Sequence, residues 1–386
     1  MRPTALKLTA GILLFCGFTS TVNAQADPIN VVTTAVPFLR ISPDARAGGM
    51  GDLGVATSPD ANSGFWNIGK VAFNESKGGI SANYTPWLKD VVNDVFLASL
   101  GGYYKFDENQ ALHAGIRYFS LGNIQFTDGN GSTIGSGKPR EFGVEVGYSR
   151  KLSTKAGLGL TLRYINSDLA NGFSGNSVVT KAGNSVAADL GFYYDGKTAG
   201  SGWAFGATMS NLGAKIAYTD NADQKDFIPA NLGLGTTYTK KFNDQNQITF
   251  GLDLNKLMVP TPPGQNATPQ EIADYRKKGV VGGWFGSFGD APDGFGEELK
   301  EFQVSLGAEY VYNNQFSLRA GYFHEDGTKG NRRYVTAGLG VKYNIFGLNF
   351  SYLLPTGSGV SRNPLSNTLR FSLIFDLDGG AATEKK

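Results

Sequence analysis

The chain has 386 residues, including 53 Gly, 15 Pro, one Cys and two His. Gly stands at about twice average usage without a Gly-X-Y period, which excludes collagen, and 12% aromatic against 18% charged residues excludes a disordered chain. A formal net charge of +2 excludes a strongly basic nucleic-acid binder, and beyond the N-terminus no apolar run reaches the roughly 18 residues of a spanning helix.

In chain order, the first element is an export signal over residues 1–24. Arg2 and Lys7 are its basic region, Leu8 to Phe18 its short apolar stretch, and Val22-Asn23-Ala24 supplies small residues before Gln25. Cleavage there removes two positive charges and no carboxylate, leaving a formally neutral chain. It also removes Cys16, so the mature chain forms neither a disulfide nor a thiolate site. Phe15 stands where a lipoprotein signal needs a small residue before the cysteine.

Residues 25–76 are rich in small side chains and lack strand alternation. They contain Arg46, Gly48, Gly49, Met50, Gly51, Asp52, Trp66 and Asn67. A segment of this kind fits inside a barrel, where Gly lets backbone approach the wall; the alternative is a periplasmic arm that orders on contact.

From Gly79 onward the sequence alternates between apolar and small or polar residues, as in Leu158, Leu160, Leu162 and Tyr164 between Gly157, Gly159, Thr161 and Arg163. A strand sends successive side chains to opposite faces, so each segment has one apolar face. The segments centre near Ile80, Phe96, Ile116, Val144, Leu160, Leu190, Phe205, Leu234, Phe250, Leu306, Leu318, Leu339, Phe350 and Phe371. A soluble sandwich turns such faces into a core; a membrane barrel turns them to lipid. Three features favour the barrel. Many segments run about ten residues, the length of a tilted spanning strand. Short turns such as Asn313-Asn314 alternate with long loops. Tyr148, Tyr164, Tyr194, Tyr238, Tyr312, Tyr322 and Tyr343 close outward series, as an aromatic girdle does. The prediction is an all-β fold: a 14-stranded antiparallel transmembrane β-barrel over residues 77–378, with an N-terminal plug, a tail over 379–386 and both termini periplasmic.

Inward positions carry His113, Arg117, Glu145, Arg163, Asp189, Asp253, Glu309, Arg319, Lys342, Arg370 and Asp376. Charge-selective pores favour one sign, so this mixture predicts ion pairs between wall and plug; the alternative is an ion or proton pathway through Asp189 and Asp253. The longest loop, 259–300, is expected to be extracellular. It carries a capped helix over 269–278 beginning after Thr268, then a Gly-rich stretch with Trp284, Phe285 and Phe288, and Phe295 beyond it. These aromatics are the candidate partner-binding residues. Neither His has a spaced metal-ligand partner and no nucleophile motif is present, so the sequence predicts no enzyme, metal or cofactor.

The run Phe38 to Asp52, then Gly54 to Ser63 and Trp66-Asn67, resembles the PorV family, outer-membrane components of the Bacteroidetes type IX secretion system, within the wider fold family of long-chain fatty-acid transporters. The resemblance is specific over about the first fifty mature residues and architectural beyond. It implies a non-enzymatic shuttle. Its partners would be the SprA translocon barrel, cargo with a C-terminal signal domain, the PorU attachment complex, and outer-membrane lipid or lipopolysaccharide. The alternative is a passive transporter of hydrophobic compounds, as in FadL. One departure is local: where the transporter family shows Asn-Pro-Ala, this chain has Asn67-Ile68-Gly69.

Overall fold

The computed structural model describes residues 30–87, 94–169, 181–220, 225–264, 267–356 and 368–377. The expected signal peptide and the tail over 379–386 lie outside them. The barrel strands are β1 Gly78–Pro86, β2 Val95–Lys105, β3 Gln110–Leu121, β4 Arg140–Lys151, β5 Ala156–Asp168, β6 Gly183–Asp195 and β7 Gly202–Gly213. They continue as β8 Asn231–Lys241, β9 Asn246–Leu257, β10 Gln303–Tyr312, β11 Phe316–His324, β12 Arg333–Tyr343, β13 Phe346–Pro355 and β14 Leu369–Asp376. Each pairs antiparallel with its chain neighbours, and β1 meets β14 from Gly79↔Asp376 to Tyr84↔Phe371. All fourteen predicted segments are strands of this closed barrel.

The two faces decide between sandwich and membrane barrel. In β5, Leu158, Leu160 and Leu162 are exposed while Thr161 and Arg163 are buried. Across the wall, apolar rows lie outside and charge lies inside, the reverse of a soluble core. The transmembrane barrel is the fold.

Short turns share one rim with the start of β1 and the end of β14, and the long loops share the other. The β10–β11 turn places Asn313 and Asn314 both at positive φ (54° and 52°), the primed geometry that matches strand twist. The tyrosines divide between the rims: Tyr148, Tyr194, Tyr238, Tyr312 and Tyr343 lie toward the short turns, Tyr164 and Tyr322 toward the long loops. Two small hairpins, 124–127 with 133–137 and 216–217 with 225–226, ride on the long loops and lack an alternation long enough to read. The pairing of β6 with β7 slips between Ala188 and Leu190, where Asn211 takes a φ of 54° and donates its N–H to Asp189 at 2.7 Å.

Residues 30–76 run through the interior from rim to rim. The Asn30 N–H donates to the Thr328 carbonyl (3.1 Å) and the Ala35 N–H to the Phe227 carbonyl (2.9 Å), both on long loops. At the other end Lys105 Nζ donates to the Asn74 carbonyl at 2.9 Å, beside the start of β1. The sequence placed both chain ends at one rim. The barrel strands do begin and end together there, but residue 30 sits at the opposite rim, because the chain crosses the full barrel height before β1. Val36, Phe38 and Leu39 pack on Leu97, Phe119 and Ile165 near the long loops; Ile68, Val71 and Ala72 pack with Tyr103 and Ala111 near the short turns.

Candidate functional site: a filled lumen and an outward-facing loop

The lumen segment folds as short helical turns, 37–40, 45–48, 63–66 and 68–73, because its Gly content permits nothing longer. Asp44 caps the second, accepting from the Ala47 N–H at 2.9 Å, and also accepts from Trp66 Nε1 at 2.6 Å, which fixes Trp66 against its own segment. Asn67 donates to the carbonyls of Val55 (3.0 Å) and Phe192 (2.8 Å), the second of these on the wall.

Charge then locks segment to wall. Arg46 donates to both oxygens of Glu309 (3.0 and 2.8 Å) and to Asp60 (2.9 Å), and Glu309 also accepts from Arg319 at 2.8 Å. Asp52 accepts from Arg370 and from the Tyr334 hydroxyl, each at 2.5 Å. A separate wall network gathers Arg117 (3.0 Å), Arg163 (2.7 Å) and His113 (3.2 Å) on Glu145, and Arg163 reaches Asp189 at 2.6 Å. Among the described residues Asp253 forms no ion pair with the wall; its Oδ2 accepts from the N–H groups of Gly54 (2.7 Å) and Val55 (2.9 Å). Asp189 and Asp253 thus serve different networks, which argues against a pathway joining them. Lys342 and Asp376 pair with each other at 2.6 Å at the short-turn rim, away from this interior. Deleting one partner of a buried pair such as Arg46–Glu309 typically costs about 3–5 kcal/mol.

Close approach is the second lock. Gly51 takes a φ of 71°, and a Cβ there would lie 2.7 Å from the Tyr322 backbone N; one on Gly49 would lie 2.9 Å from Gly338 Cα, and one on Gly48 2.8 Å from Arg370 Cδ. The wall answers with its own glycines: a Cβ on Gly321 would lie 2.7 Å from Met50 Cα, and one on Gly307 2.5 Å from the Met50 carbonyl oxygen. The sequence reading missed this wall half, although its signal was present as Gly at inward parity. Ile68 sits against Gly147 and Gly159, and a Cβ on Gly69 would lie 2.6 Å from the Gly191 carbonyl, so the Asn67-Ile68-Gly69 departure suits this wall.

Some space remains, and its lining mixes charged with apolar side chains such as Leu39, Val55 and Phe65. A cavity of about 110 Å³ is lined by Arg117, Arg163, Asp189, Asn211 and Asn255, among others. β3 is paired along its length on both sides.

The long loop is ordered by helices at 269–277, 280–286 and 295–300. Thr268 and Glu271 form the expected capping box. The stretch from Gly282, expected to be flexible, is largely the second helix, since packing of Gly283 on Phe227 and Pro260 outweighs its poor propensity. Trp284 is half-buried, whereas Phe285 (63%), Phe288 (41%) and Phe295 (78%) are exposed. The 295–300 helix is inverted. Its Glu297 and Glu298 are buried while Phe295 and Leu299, one turn apart, face out. Lys329 from the β11–β12 loop donates to Glu297 (2.5 Å) and Glu301 (2.9 Å); Lys256 donates to Glu301 and lies 3.1 Å from Glu298. Burial opposes the charge on each partner, but the contacts between them win: Lys329 is held above, and Glu297 below, its ordinary range.

Residues 23–264 match the family described as Type IX secretion system protein PorV. The chain belongs to that family. No curated protein matches it. Among solved structures, this PorV-family barrel is similar to the Ralstonia pickettii toluene transporter TbuX (13% identity, 87% of this chain and 97% of that one, TM-score 0.53). It is also similar to the Pseudomonas putida toluene transporter TodX (12%, 90% and 98%, 0.51) and to the CymD monoaromatic hydrocarbon channel (13%, 88% and 98%, 0.51). At these identities the likeness is one of fold alone. The family places the chain in the outer membrane as a secretion-system protein. Among the described residues no group of three or more His, Cys, Asp or Glu could hold a metal ion.

Proposed function

We propose that this protein is the shuttle of a type IX secretion system: its long loops face the cell exterior, and the rim they form takes cargo with a C-terminal signal domain from the SprA translocon and passes it to the PorU attachment complex. The observation that carries this reading is a filled lumen beside an outward apolar surface on the 259–300 loop. Phe285, Phe288 and Phe295 supply the anchors, with half-buried Trp284 behind them. Aromatic anchors of this kind dominate many interfaces. The outer wall faces lipid and lipopolysaccharide.

Similarity in fold to toluene transporters favours the second reading, passive transport of hydrophobic compounds. The charged groups in the cavity wall, Arg117, Arg163 and Asp189, and the fully paired β3 weigh against it. Tagged protein drawn from native membranes tests the two. We expect co-recovery of translocon and cargo, reduced more than about tenfold by Phe285→Ser with Phe295→Ser, each anchor contributing on the order of 2 kcal/mol. Unchanged recovery from a variant that still forms the barrel overturns the docking role.

A further inference from the structure

Between the long-loop rim and the lumen segment lie two cavities, of about 200 and 110 Å³, which share Arg40, Gln303 and Arg332 as lining. At that junction two guanidiniums share one carboxylate. Arg332 holds Glu325 at 2.7 and 2.9 Å, and Gln303 takes a further position at 2.9 Å, while Arg40 comes no nearer than 3.9 Å. The Arg332 N–H takes a fourth position at 3.4 Å, so among the described residues Arg40 has only its long contact with Glu325.

The lower cavity adds two donors. Ser42 and Arg117 both line it and are buried, and Ser42 Oγ and Arg117 Nε have no hydrogen-bond partner among the described residues. A buried donor left unsatisfied is costly, so such donors on side chains beside a cavity mark a place for an acceptor. Arg117 is already oriented, by Glu145 at 3.0 Å and by stacking on the Phe65 ring at 4.5 Å.

We propose that this vestibule binds a carboxylate entering from the long-loop rim, with Arg40 as its cation and Ser42 and Arg117 as further donors. Guanidinium matches carboxylate as a planar fork. Arg40, Ser42 and Arg117 line the space for the head of such a ligand, with Leu39, Val55 and Phe65 as apolar neighbours. The inference is independent of the secretion reading. Its carboxylate could belong to a free organic acid or to the end of a polypeptide.

The test is calorimetric titration of the full-length protein in detergent with glutarate, and in a second arm with one octapeptide carrying either a free or an amidated C-terminus. Saturable binding of glutarate, or of the free but not the amidated peptide, is expected, and the responding arm names the source. Arg40→Gln should weaken the responding probe about 10–100-fold and Ser42→Ala about fivefold, with Arg40→Lys recovering part of the loss. Heat-modifiable migration in gels shows that each variant still forms the barrel. Absence of saturable binding in both arms, equal binding of free and amidated peptide without glutarate binding, or an Arg40→Gln variant that titrates like the parent overturns the proposal.

Discussion

Gly321→Ala isolates the fit of the lumen segment from the stability of the barrel. Gly321 pairs with Gly307 and Thr336 in β11, faces inward and is not at a positive φ, so Ala there strains no backbone torsion. The new methyl would lie 2.7 Å from Met50 Cα and closer still to the Gly51 N, both of them backbone, so no side chain can swing aside. Relief requires residues 49–52 to move away. That motion breaks the Gly51 N–H to Thr336 Oγ1 bond (2.9 Å) and disturbs the Asp52 contacts with Arg370 and Tyr334. Overpacking costs about 1–3 kcal/mol and the lost hydrogen bond about 1. Together these raise the displaced population by roughly 30- to 1000-fold, at tenfold per 1.4 kcal/mol. The cleaved chain is expected to hold no native cysteine, so Ser63→Cys, at a fully buried position, makes a reporter whose maleimide labelling rate follows exposure of the segment. Gly264→Ala, which meets nothing within 4 Å, is the control. Equal labelling of the Gly321→Ala and control proteins would refute the claim that glycine-to-backbone contact seats the segment.

Two further outcomes follow from the same contacts. Gly69→Ala, which restores the residue of the Asn-Pro-Ala pattern, should speed labelling of the same reporter by about 5- to 150-fold, because its methyl meets the Gly191 carbonyl at 2.6 Å; an unchanged rate would count against the close fit at that wall. The anchoring of the long loop should depend on pH at both extremes. Glu297 is lowered in the fold, so its contribution is complete above the ordinary Glu value of about 4.3 and fades as pH falls through the lower folded value. Lys329 is raised, so its contribution is complete below about 10.4 and fades as pH rises through the higher folded value. Hydrogen exchange in residues 295–301, corrected for intrinsic rates, should therefore be slowest between about pH 5 and 10 and accelerate at pH 3; a flat profile would refute the link.

The wall was legible because its signal is local. Alternation of Leu158, Leu160 and Leu162 with Thr161 and Arg163 needs no knowledge of distant residues, and Asn313-Asn314 names its own turn. Thr268 and Glu271 likewise announce their helix three residues apart. The interior was legible as a mixture of charges but not as pairs, since Arg46 and Glu309 are separated by 263 positions. Asp253 shows the limit most sharply. Inward parity marks it as a lumen carboxylate, yet its partners are backbone N–H groups, which every residue but proline carries and which therefore leave no trace in the sequence. The rim reached by residue 30 was missed for a related reason: strand count fixes where β1 and β14 lie and says nothing about how far the preceding segment climbs.

The inverted 295–300 helix shows why the exposed aromatics are a property of the loop's ion pairs and not of its composition. Phe-Gly-Glu-Glu-Leu-Lys, left to itself, would turn Phe295 and Leu299 toward protein and the carboxylates toward water, since burying each apolar side chain is favourable by about 1.5–3 kcal/mol. Lys256 and Lys329, both buried, reverse that preference, because leaving them without Glu297, Glu298 and Glu301 would strand two charges at a cost of several kcal/mol. Replacing both cations by a flexible apolar residue removes the reason for the inversion. In Lys256→Met/Lys329→Met the helix should roll over, hiding Phe295 and freeing the carboxylates. With Trp placed at position 295 as reporter, emission should shift to the blue and quenching by iodide should fall, while barrel migration in gels stays as in the parent. If position 295 remains as exposed in the double variant as in the parent, the lysines do not set the helix's orientation. Some other contact must then hold the apolar face toward solvent.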